Sequence, residues 1–183
     1  MRLVLLALLA GLAGCETSKP PSPPATGQNW ICGIEYVNYA WGYQRRGLVI
    51  DAKGKVLQHD VRPDGKAPVG RWMPADAARM TEQDLAARYE GARETMRSVP
   101  VAEIAEHLPL IAEAARTKPG EARTTAADMG LWTTYCLLRD ASSGTYAQVM
   151  LDERGDMTSF NPSPAARKLS AWVNRVTSPP DNP

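Results

Sequence analysis

The chain has 183 residues, 44% of them apolar and 22% charged, a size and composition that fit one ordinary domain. Its 21 Lys and Arg are balanced by 20 Asp and Glu, which argues against a nucleic-acid partner, because no basic excess exists to meet a phosphate backbone. The longest unbroken apolar run, Leu3 to Ala10, is far shorter than the roughly 18 to 20 residues that span a bilayer, so no mature transmembrane helix is expected.

Met1 and Arg2 form a short positive start, and Leu3 to Leu12 form an apolar stretch of the length found in export signals. The stretch ends in Leu12-Ala13-Gly14-Cys15. This segment resembles the lipobox of bacterial lipoproteins, in which a leucine and two small residues stand just before a cysteine. The resemblance covers residues 1 to 15. It implies cleavage of a 1–14 signal peptide and a diacylglyceryl group on the Cys15 thiolate, often with acylation of the freed amine. Two or three buried chains anchor far more firmly than one. An aspartate after the lipidated cysteine favours inner-membrane retention in enteric lipoproteins, and here the residue is Glu16. The resemblance therefore implies an outer-membrane anchor, with the domain facing the periplasm.

Glu16 to Gln28 contains Pro20, Pro21, Pro23 and Pro24 and almost nothing apolar. It cannot bury a core, so residues 15–29 are expected to act as a tether. At about 3.1 Å per residue in a polyproline-like form, it would hold a folded 30–177 domain up to roughly 40 Å from the lipid. Residues 178–183 are again Pro-rich and read as a frayed tail. With Cys15 lipidated, Cys32 and Cys136 are the remaining thiols of an exported domain. An even pair in an oxidising compartment predicts a disulfide. Neither belongs to a Cys-x-x-Cys arrangement, which argues against a redox enzyme.

Within the domain, Trp30 to Val37 reads as a strand. Gly47 to Ile50 and Lys55 to His59 read as a hairpin around Asp51-Ala52-Lys53-Gly54. Thr81 and Asp84 form an N-cap signature with Met80 and Leu85 placed as a staple, and Leu85, Tyr89, Ala92 and Met96 make a helical face ending before Pro100. Ile104, Leu108, Ile111 and Ala115 predict a second helix, which Pro109 should kink or split. Leu131 to Arg139 reads as a strand, followed through the turn Asp140 to Gly144 by a second hairpin, Ala147 to Leu151 and Asp156 to Phe160, around Asp152 to Gly155. A shift of 101 residues lays Asp51 and Gly54 on Asp152 and Gly155. Such a match is expected either from a common turn type or from a duplicated meander. Ser163 and Pro164 open a C-terminal helix with Leu169, Trp172, Val173 and Val176 on one face. The expected fold is α+β, a mainly antiparallel sheet from two β-meanders, with two central helices and the C-terminal helix packed on one face.

Chemistry is harder to find. His59 and His107 have no ligand cluster at metal spacing, so no metal or other cofactor is expected beyond the covalent lipid on Cys15. Hydrolase and nucleotide-binding signatures are missing, and Ser142-Ser143-Gly144 reads as a turn. Carboxylates at Glu35, Asp51, Asp60, Asp128, Asp152 and Asp156 can pair across a sheet in principle, but Asp51 and Asp152 suit turns. Trp30, Tyr36, Tyr39, Trp41 and Tyr43 crowd into fourteen residues and run into Arg45 and Arg46. Such a hairpin can stack on sugar rings or anchor a protein, and it is the predicted binding surface. The loop Pro63 to Pro74 with Trp72 is a second possible contact. The expected function is therefore non-catalytic: a lipid-anchored envelope protein that binds or scaffolds an envelope protein or peptidoglycan. The alternative is an inhibitor or immunity-type lipoprotein that plugs an envelope hydrolase.

Overall fold

The computed structural model describes residues 27–40, 42–61 and 79–178. The signal segment, Cys15, most of the tether, Trp41, the loop bearing Trp72 and residues 179–183 lie outside the described residues. The elements in chain order are β1 (Trp30–Asn38), β2 (Gln44–Asp51), β3 (Lys55–Val61), α1 (Glu82–Arg88), β4 (Arg93–Ser98), α2 (Val101–Ala114), β5 (Arg123–Thr124), β6 (Leu131–Arg139), β7 (Tyr146–Gly155), β8 (Met157–Phe160) and α3 (Pro164–Thr177). They build an α+β fold around one antiparallel sheet of eight strands, in the order β4-β3-β2-β1-β6-β7-β8-β5.

The first hairpin forms where its turn chemistry asks. Asp51 caps the turn by accepting hydrogen bonds from the backbone N–H groups of Lys53 and Lys55. Gly54 takes φ +82°, and its missing Cβ leaves room for Val99 O, which would lie 2.0 Å from one. The second hairpin does not repeat this design. β7 continues through Asp152, whose backbone pairs with Thr134 on one side and Phe160 on the other. Asp152 is thus a strand residue bonded to Ser170 Oγ, and the shared Asp/Gly spacing serves two different positions.

Two helices behave as their sequence signals dictate, with one adjustment. Ser163 caps α3 by accepting from Ala166 N–H, and Pro164 occupies the first turn. In α2, Ile104 and Ile111 are buried and the helix runs unsplit past Pro109. Ala114, not Ala115, completes its buried face. α2 and α3 pack against each other and on one sheet face, around Ile50, Val56, Cys136, Leu151, Leu169 and Trp172.

The helix expected from Thr81 to Pro100 is corrected in length and in placement. The capping box forms, with Thr81 Oγ accepting from Asp84 N–H and Asp84 accepting from Thr81 N–H. α1 nevertheless stops at Arg88, Gly91 turns the chain at φ +74°, and Arg93–Ser98 becomes edge strand β4 beside β3. Met96 is fully exposed there. A charged, short edge strand such as this resists pairing with other chains, and its sequence carries little strand signal for the same reason. α1 does not share a face with α2 and α3. Leu85 and Tyr89 pack with Val49, Tyr135, Leu137 and Tyr146, whose side chains alternate with those of Ile50 and Cys136 and so point to the opposite face.

Consecutive strands pair from β1 to β4 and from β6 to β8, and the β1–β6 ladder joins the two sets. Cys32 and Cys136 face each other in that ladder and form a disulfide. It closes a loop of 104 residues. In the chain-entropy model such a link restricts the unfolded chain by about 4 to 5 kcal/mol. Reduction, or the double substitution Cys32→Ser with Cys136→Ser, should lower the free energy of urea unfolding by about 3 to 5 kcal/mol. An unchanged unfolding midpoint would count against any role of the bond in stability.

Candidate functional site

The β1–β2–β3 hairpins place Glu35, Gly47 and His59 in one row across three strands. A Cβ at Gly47 would sit 2.1 Å from Ile34 O and 3.0 Å from His59 Nε2. Because position 47 carries no side chain, His59 on β3 reaches to within 3.7 Å of Glu35 on β1. Arg45 donates from Nε to Glu35 Oε1 at 2.7 Å and from a guanidinium NH2 group to Arg88 O at 2.9 Å. Arg88, the last residue of α1, donates to the other Glu35 oxygen. All four side chains are buried. A pair of buried tyrosine hydroxyls, Tyr89 and Tyr135, lies 2.7 Å apart close by. The network docks α1 on the sheet.

Burial pushes the Glu35 carboxyl up, but the guanidiniums of Arg88 and Arg45 outweigh it and hold the group below the usual carboxylate range. His59 moves the other way for a base. Burial, reinforced by Arg45 and Arg88 and only partly offset by Glu35, lowers it to about 4. The ring is therefore neutral at pH 7, and neither nitrogen has a hydrogen-bond partner. Both Glu35 oxygens are held by guanidiniums, which commits the carboxylate to ion pairing.

At the end of the sheet that the helices leave open, two grooves lie on opposite faces. On the α1 face, Glu35 and Arg88 form part of a groove of about 750 Å³ bordered by Tyr39, Leu131, Met150 and Glu153. Burial raises the Glu153 carboxyl; a hydrogen bond from Thr133 opposes this and neighbouring Asp152 adds to it. On the α3 face, a groove of about 730 Å³ has Ile34 and Leu48 in its floor and Asn174 and Thr177 in its wall. Its rim is a cross-strand row in which Arg46, Tyr36 and Trp132 stand opposite one another on β2, β1 and β6. The rings of Tyr36 and Trp132 lie 5.1 Å apart, and the Arg46 guanidinium sits 4.8 Å from the first centroid and 5.9 Å from the second.

The aromatic hairpin is therefore split. Arg46 lines the α3 groove with Tyr36 beside it in the cross-strand row, and Tyr39, 58% exposed, borders the opposite groove. Tyr43 and Arg45 are buried, contrary to their expected display on the surface. Trp30 packs on Tyr89 and donates to Glu82, so its ring fastens α1. Trp41 lies outside the described residues. Trp132, at the α3 groove, was not singled out in the sequence, and Met96, expected on the helical face of Leu85 and Tyr89, lies on edge strand β4 at the same groove. Arg88 was not singled out in the sequence. Of the other carboxylates, Asp156 accepts from the N–H groups of Met129 and Gly130, and Asp128 adopts φ +64°. Ser142 binds Asp140 within its turn. His107 stacks on Trp172. Among the described residues no three His, Cys, Asp or Glu gather as a metal site.

Two expected outcomes test the network. Glu35→Gln leaves Arg45 and Arg88 buried without their counter-charge, and should cost about 3 to 5 kcal/mol of unfolding free energy. An unfolded histidine takes up a proton near pH 6.5, whereas folded His59 resists until about 4. The unfolded state binds more protons in that window, so stability should fall with acid by about 3 kcal/mol over it. Glu35 adds to the loss only at lower pH, since its folded carboxyl is held below its ordinary range. His59→Phe should flatten the curve of unfolding free energy between pH 6.5 and 5. A wild-type curve already flat there would show that His59 is not a buried neutral base.

No protein-family model matches this chain, and neither the curated proteins nor the solved structures contain a significant match to it.

Proposed function

We propose that this chain is a lipid-anchored protein of the bacterial envelope, held at the outer membrane through Cys15, whose domain binds another envelope component without catalysis. The observation that carries the reading is the row of Arg46, Tyr36 and Trp132 lying open beside the α3 groove. Arginine and large aromatic residues are the side chains that dominate binding energy at interfaces. A groove of this volume also falls within the range of about 300 to 1,000 Å³ typical of ligand clefts. The anchor raises the local concentration of the domain at the membrane, and the Pro-rich tether supplies reach. The component bound is a protein or peptidoglycan; an envelope hydrolase whose turnover is blocked by binding would make the chain an inhibitor.

Cys15→Ala should move the protein from the detergent phase to the aqueous phase in a phase-partition assay, and unchanged partitioning would overturn the anchor. For the groove, a photo-crosslinking amino acid at Gln58, in cells exporting the full chain, should yield an adduct that Arg46→Glu abolishes. An adduct equally strong in that variant, or one obtained only from position 150 on the opposite face, would remove the α3 groove as the binding site.

A further inference from the structure

We propose that the α3 groove takes an extended, acidic peptide segment, with Arg46 binding a side-chain carboxylate and the Ile34–Leu48 floor taking a flanking aliphatic side chain. The inference rests on the groove being the binding site and names the class of component. Three observations carry it. The ionisable side chains lining the groove are both cationic, Arg46 and Arg97. Arg97 is occupied with the carbonyls of Val176 and Thr177 at the end of α3, where it satisfies the helix terminus. Arg46 is oriented by the two rings, and among the described residues it makes neither an ion pair nor a hydrogen bond, so its planar fork is aimed but unspent.

The surroundings favour a peptide over a glycan. A sugar would need an open ring face, and Arg46 already lies over the faces of Tyr36 and Trp132. The floor is aliphatic, and the side-chain amides of Gln58 and Asn174 border it, offering donors and acceptors to a peptide backbone. From Arg46 to Trp132 the rim crosses two strand spacings, roughly 10 Å, which is the rise of about three extended residues. The recognition element is thus short: one acid with an aliphatic neighbour on each side.

The test uses the full chain purified in detergent and fluorescein-labelled pentapeptides, amidated at the C-terminus, of the form Gly-x-Asp-y-Gly, with x and y drawn from Leu, Ile and Val. Their Asn and Lys counterparts serve as controls. Fluorescence anisotropy should show the best Asp peptide binding at least tenfold more tightly than its Asn counterpart. Arg46→Lys should weaken it about fivefold or more, because an ammonium lacks the planar fork. Arg46→Glu should abolish it and shift preference to the Lys peptide. This charge exchange is a readout that loss of folding cannot mimic, and Met150→Lys on the opposite face should leave binding unchanged. Equal affinity for the Asp and Asn peptides, or Asp binding that survives Arg46→Glu, would overturn the proposal. If an N-acetylglucosamine tetramer binds in an Arg46-dependent manner while the peptides do not, the peptide class fails and the groove stands. If the Gln58 adduct is also missing, both fall together.

Discussion

The β1–β6 ladder is the contact on which the rest of the architecture depends. Without it the chain is two separate strand sets, β1 to β4 and β6 to β8, each with one helix-facing side and too little apolar surface to be stable alone. Pairing them creates a continuous floor for α2 and α3, so that Ile50 from one half and Leu151 from the other share a core with Leu169 and Trp172. Contacts between residues this far apart in sequence carry a large loop-closure cost. The Cys32–Cys136 bond removes much of it from the unfolded chain at the centre of the seam.

A second constraint acts on the opposite face. α1 has only seven residues, too few to be stable in isolation. It is held by Leu85 and Tyr89 in the apolar cluster, by Trp30 and Tyr146 donating to Glu82, and by Arg88 on Glu35. Burying a carboxylate is tolerable here because two guanidiniums meet it. Gly47 leaves the space in which they and His59 converge. The same network supplies the back of the groove beside Tyr39, so a change at Glu35 acts on the fold and on that surface together.

The grooves exist because the helices cover less than the sheet offers. α3 crosses its face and ends at Thr177, leaving Ile34, Leu48 and the Arg46-Tyr36-Trp132 row uncovered beyond it. This row combines one strand from the second half with two from the first, and thus depends on the seam. Carboxylates predominate among the charges of the opposite groove, and arginines make up those of the α3 groove. The two faces at this end of the sheet therefore suit partners of opposite charge.

Local chemistry was readable from the residues themselves. The Thr81–Asp84 capping box, the Ser163–Pro164 helix start, the Asp51–Gly54 turn, the strand at Leu131–Arg139 and the pairing of Cys32 with Cys136 all follow from short-range signals, because caps, turns and alternation act within a few residues. Sequence spacing put α1 on the same face as the other helices and ran it on to Pro100, where the structure has edge strand β4, and it did not show that Tyr36 and Arg45, close neighbours in one hairpin, end on opposite sides of the sheet with different fates. It also left unseen that Arg88 meets Glu35 across 53 residues and that Trp132 completes the row begun by Arg46. Those outcomes rest on strand register and on burial, which are properties of the assembled sheet: a one-residue change in register reverses which side chains face the core, and a charge becomes a structural ion pair only where the fold withdraws it from water.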